Sequence, residues 1–80
     1  MGENTVDRKE AYTHLEDVKS LLKEKESFKD TNEYKEAQKI INEVKKVVNS
    51  ETREKYMDKY PQRAIIKLKK AKKILEELDY

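Results

Sequence analysis

Ala64, Leu68, Ala71, Leu75 and Leu78 recur at steps of 4, 3, 4 and 3 residues, with Lys67, Lys69, Lys70, Lys72 and Lys73 between them. Such spacing draws one apolar stripe down an α-helix and leaves the lysines in water. The rhythm occurs twice more. Ala11, Leu15, Val18 and Leu22 step by 4, 3 and 4, and Tyr34, Ala37, Ile41, Val44 and Val48 step by 3, 4, 3 and 4. Tyr12, Leu21, Ile40 and Val47 lie beside these stripes and widen them. The three stripes use up most of the apolar residues, so the fold must bury three helix faces against one another.

The breaks between stripes place the elements. Thr5 offers a side-chain oxygen to cap a first helix over 6–26, with Asp7 in its favourable first turn. Ser27 to Asp30 reads as a short connection in which Phe28, the sole phenylalanine, plugs the underside of the turn. Asp30 or Thr31 caps a second helix over 31–49, and Asp30 with Glu33 has the spacing of a capping box. Ser50 can cap a short helix over 51–59. Pro61 stops that helix and suits the first turn of a last one over 62–78. Glu76, Glu77 and Asp79 stand near its C-terminus, where the helix dipole disfavours them and fraying is expected. The architecture predicted is an all-α, three-helix bundle with a short extra helix between the second and third long helices.

Composition fits one domain. Eighty residues can close a single core, and at 35% apolar that core is lean. Charged residues reach 45%, yet the net charge is only +2 and the apolar residues are periodic, which argues for a fold rather than disorder. One Gly and one Pro leave little material for tight turns. There is no Cys, so a disulfide, a thiolate nucleophile or a Cys-based metal site is excluded. No apolar run is long enough to span a bilayer, and the acidic start from Met1 to Val6 lacks an apolar segment of signal-peptide type. An intracellular, monomeric protein without membrane partners is expected. Residues 1–40 carry 8 Lys/Arg against 10 Asp/Glu, whereas residues 41–80 carry 11 against 7.

The residues that could do chemistry are few. His14, the sole histidine, lies four residues after Glu10 and three before Asp17, on one helical face. One imidazole between surface carboxylates falls short of the three or four ligands of a zinc site, and helical neighbours of opposite charge explain it. Glu24, Glu26, Glu76 and Glu77 sit on helix ends among lysines and read as a solvated face. Ser20, Ser27 and Ser50 lack an oriented base, and the only glycine is Gly2, so no loop cradles a phosphate. No catalytic residue, cofactor or metal is predicted. Two surfaces remain. Lys67, Lys69, Lys70 and Lys73 could contact an anionic partner, with Lys69, Lys70 and Lys73 pointing away from the core. Ile66 breaks its stripe by lying on the lysine side, and with Tyr56, Met57 and Tyr60 it makes a candidate apolar surface for a protein partner, or else the cap of one bundle end.

Residues 33–60 resemble the last two helices of J-domains. The stretch Val47-Val48-Asn49-Ser50-Glu51-Thr52-Arg53-Glu54-Lys55-Tyr56 is similar to the turn with which that family joins them. The resemblance covers about a third of the chain and implies helix on both sides of Ser50. The family's His-Pro-Asp motif, which stimulates a partner chaperone, is absent, since Leu15 and Glu16 follow His14. The resemblance therefore implies no chaperone activity. The sequence reads as a non-enzymatic helical module for protein interaction. The alternatives are an engineered bundle with no natural partner, allowed by its near-regular heptads, and a binder of nucleic acid or an acidic surface through the last helix.

Overall fold

The computed structural model describes residues 2–78. Helix α1 spans Gly2–Glu24, α2 Asn32–Lys45 and α4 Pro61–Glu76. Between α2 and α4 lie two short strands, β1 (Val47–Asn49) and β2 (Glu54–Lys55), and a single helical turn, α3 (Tyr56–Lys59). The long helices are those the three stripes predict, and the all-α bundle stands.

Polar cross-links give the directions. Gln62 meets Asp7, Lys72 meets Asp17, and the Lys25 ammonium donates to the Leu78 carbonyl. Both sequences rise together, so α1 and α4 run parallel. Lys67 meets Glu43 and Lys70 meets Glu36, so α2 runs antiparallel to α4. The helices α1 and α2 both pack along α4 and touch each other far less. A last helix flanked on two sides explains the width of its buried face, with Ile65 beside Ala64, Leu68, Ala71 and Leu75. The molecule is accordingly flat, 44 × 25 × 16 Å. Ala11, Ala37, Ala64 and Ala71 are wholly buried, and these small side chains let the helix backbones approach closely. Leu15, Val18, Ile41, Val44, Leu68 and Leu75 fill the space between them.

The turn between α1 and α2 is closed from within. Thr31 caps α2 by accepting from the Tyr34 amide at 3.2 Å, and its hydroxyl donates to the Phe28 carbonyl at 2.6 Å. Thr31, rather than Asp30, is thus the cap. The Tyr34 phenol reaches back to the Leu22 carbonyl at 3.0 Å. Phe28 is half-buried against the core, as its place in the turn predicts, with the Lys25 ammonium 5.9 Å from its ring centre.

The element boundaries are shifted from the sequence reading, and α4 ends at Glu76 rather than at 78. Helix α1 begins at Gly2, so Thr5 lies inside it and is not its cap. Asp79 falls outside the described residues, and Leu78 is buried, its amide donating to the Leu75 carbonyl. The main correction lies between α2 and α4. Helix is expected there over 31–49 and 51–59, but α2 stops at Lys45 and residues 47–55 form an antiparallel hairpin. The Asn49 side chain takes the Glu51 and Thr52 amides at 3.0 and 3.4 Å. Such local bonding offers the backbone an alternative to helix. Val47 and Val48 favour extended backbone at a point where no core is left to reward a helical stripe. Arg53 closes the turn in the left-handed region, at φ 58°. The Tyr56 amide then bonds the Lys46 carbonyl at 2.7 Å and seals the hairpin base. The stretch that resembles a J-domain turn is therefore not a helix–helix junction.

Candidate interaction surface

The four residues predicted as an apolar surface separate. Met57 is 1% exposed and belongs to the core, which removes it from any docking surface. The reason is the single turn α3, which aims Met57 inward, where it closes the end of the bundle beneath the hairpin. Tyr56 and Tyr60 are half-buried, their rings 5.3 Å apart and tilted by 51°. Arg63 lies 5.1 Å and Lys59 5.7 Å from the Tyr60 ring centre, both in cation–π range. Ile66 is 68% exposed, the most exposed of the large apolar side chains described. The prediction that it stands on the lysine face holds.

The predicted lysines form two sets. Lys67 binds Glu43 at 3.1 Å and Lys70 approaches Glu36 at 3.9 Å, so both straddle α2 and α4. Surface pairs of this kind contribute about 0–1 kcal/mol each. Lys69 and Lys73 are exposed and form no ion pair among the described residues.

The sequence reading missed Val47 and Val48. The α2 stripe runs on through both, yet they are 46% and 39% exposed on β1. With Tyr56 they line an open groove of about 500 Å³, edged by Glu43, Lys46 and Lys67. Ile66 stands one position round α4 from Lys67. The stretch of sequence that supplies most of this groove is also more basic than a division of the chain into halves reveals. Residues 45–73 carry eleven Lys/Arg against three Asp/Glu, a net of +8, so the remainder carries −6. That stretch holds the hairpin and most of α4. The signal was available in the sequence, but only to a window set by the structural elements.

The opposite flank of the hairpin is tied down. The Tyr12 phenol donates to an Asp58 carboxylate oxygen at 2.9 Å, and Arg8 Nε donates to the Asp58 carbonyl at 3.2 Å. Partial burial raises the Tyr12 pKa above its ordinary value, and the hydrogen bond and negative charge of Asp58 add to this against a smaller opposing effect of Arg8. His14 lies inside α1 with its Nε2 3.7 Å from Glu10. Its Nδ1 is buried without a hydrogen-bond partner among the described residues. Among those residues no three His, Asp or Glu side chains gather in a way that could hold a metal ion, and no helix is long and apolar enough to cross a membrane. No protein family, curated protein or solved structure matches this chain.

Proposed function

We propose that this protein is a non-enzymatic interaction module that docks an acidic segment of another protein on the surface formed by its hairpin and α4. One observation carries the reading. Val47 and Val48 stand exposed in a groove set within a stretch of net charge +8. Exposed aliphatic side chains in a chain with so lean a core suit a partner that also brings apolar groups. The surrounding lysines suit a partner that is negative, and they would steer its approach. A nucleic acid would answer to the lysines but gain little from the valines, since its backbone is recognised by charge.

The test is a competition between the two chemistries. Fluorescence anisotropy would follow binding of a labelled glutamate–tyrosine copolymer and of a labelled DNA duplex, each at low and at physiological salt. Retained binding of the copolymer at physiological salt, lost in Val48→Glu, is the expected result. Tight, steeply salt-dependent binding of the duplex, unchanged in Val48→Glu, would replace this reading with that of a nucleic-acid binder through Lys67, Lys69, Lys70 and Lys73.

A further inference from the structure

Arg53 is the one described residue whose backbone lies in the left-handed region, at φ 58°. Glycine, asparagine or aspartate suits such a position better than arginine does. Nothing local repays the strain, because the Arg53 guanidinium is exposed and makes no ion pair or hydrogen bond among the described residues. Strain of this kind collects at binding sites, where the side chain has a task outside the fold.

The surroundings indicate the task. Arg53 lines an open pocket of about 450 Å³ with Arg8, Thr52, Glu54 and Asp58, and this pocket shares no lining residue with the valine groove. Arg8 is held there by its Nε, which donates to the Asp58 carbonyl at 3.2 Å. Its two terminal nitrogens have no hydrogen bond or ion pair among the described residues. The Asn49 side chain takes the Thr52 amide at 3.4 Å, and the Thr52 hydroxyl has no partner among those residues. Two guanidiniums and a hydroxyl thus line one opening with their donors unspent. Glu54 and Asp58 share that opening, yet neither forms an ion pair with Arg8 or Arg53. One Asp58 carboxylate oxygen is already taken by the Tyr12 phenol at 2.9 Å.

The mixed charge narrows the ligand. Forked donors from two arginines suit an oxyanion with several terminal oxygens. Carboxylates beside them oppose an oxyanion that can only accept. A phosphate that keeps one proton meets both demands, because its P–OH donates to a carboxylate while its other oxygens accept from the arginines. Sulfate has no such proton. The pocket also leaves room for the group that carries the phosphate.

We infer that Arg8, Arg53 and Thr52 bind the phosphate group of a monoester, with Glu54 accepting from its P–OH. This site is independent of the acidic-partner reading, and either can fail alone.

The test titrates the isotope-labelled chain at pH 6 and constant ionic strength, followed by NMR of the amides and the arginine Nε–H groups. The probes are inorganic phosphate, sulfate, glycerol 3-phosphate and a capped glycine–phosphoserine–glycine peptide. Saturable shifts at Thr52, Arg53 and the Arg8 Nε–H are expected for phosphate, with sulfate at least about fivefold weaker. Both monoesters should bind at least as tightly as free phosphate, and the tighter of the two shows whether a protein or a small molecule carries the group. Arg53→Gly relieves the strain, so it should stay folded while weakening phosphate at least about tenfold. Arg53→Lys should weaken it too, because an ammonium lacks the fork. Glu54→Gln should narrow the preference for phosphate over sulfate. Shifts that grow linearly with phosphate, or that centre on Lys69 and Lys73, overturn the site. Equal binding of sulfate and phosphate, monoesters weaker than free phosphate, or parent-like binding by Arg53→Gly overturns it as well.

Discussion

Met57 and Ile66 show how one residue can be misjudged in either direction. Both are large and apolar, both flank the start of α4, and only the structure separates them, at 1% and 68% exposure. Met57→Ala should therefore cost about 2–5 kcal/mol in urea denaturation, and the volume-conserving Met57→Leu under about 1.5 kcal/mol. Ile66→Ser should stay within about 0.5 kcal/mol of the parent, because nothing is packed on it to lose. Arg53 presents a different cost. Its left-handed backbone is disfavoured by its Cβ, by about 1 kcal/mol or more, and glycine escapes that penalty. Arg53→Gly should thus raise the unfolding free energy slightly, by up to about 1 kcal/mol, read as a higher denaturation midpoint. Tyr12 gives a pH dependence of definite sign. Its folded-state pKa is raised, so the neutral phenol's contribution is complete below the ordinary tyrosine value and is lost as pH rises through the folded value. Stability measured from pH 8 to 11 should fall more steeply in the parent than in Tyr12→Phe.

At the scale of elements, the long helices were legible because their periodicity and their packing agree. Ala11 to Leu22, Tyr34 to Val44 and Ala64 to Leu75 are apolar where the structure buries them. Pro61 at the first position of α4 and Thr31 before α2 were legible for the same reason, since each fits only a narrow role in helix geometry. Thr31→Ala should cost about 1 kcal/mol, read by denaturation, because it takes the side-chain acceptor from the Tyr34 amide, while the Phe28 carbonyl keeps the Thr31 amide. The hairpin was not legible. Val47 and Val48 continue the α2 stripe in register, and nothing in that stripe announces that the core has ended. The deciding interactions are the amide bonds accepted by the Asn49 side chain and a strained Arg53, both confined to residues 49–53 and invisible to a window tuned to helical repeats. The groove shares that history, because its two valines exist as surface only once the hairpin replaces the helix.

Across the whole molecule the charge is polar rather than neutral. A net of +8 over residues 45–73 against −6 elsewhere is hidden in the total of +2, and Lys67, Lys70 and Lys72 of that stretch meet Glu43, Glu36 and Asp17 of the other helices. Lys69→Glu with Lys73→Glu, and Lys23→Glu with Lys35→Glu, change the net charge equally. The first pair should elute from a cation exchanger at distinctly lower salt than the second, since Lys69 and Lys73 are exposed within the most basic stretch and form no ion pair among the described residues. The bundle's connectivity has a temporal side as well. The helices α1 and α2, first in the sequence, share little surface, and α4 supplies the wall that each of them needs. A ribosome making this chain would therefore hold two amphipathic helices with their apolar faces open until Leu75 has cleared the exit tunnel. Folding of α1 and α2 is thereby deferred until α4 has been made, and both depend on it as a keystone.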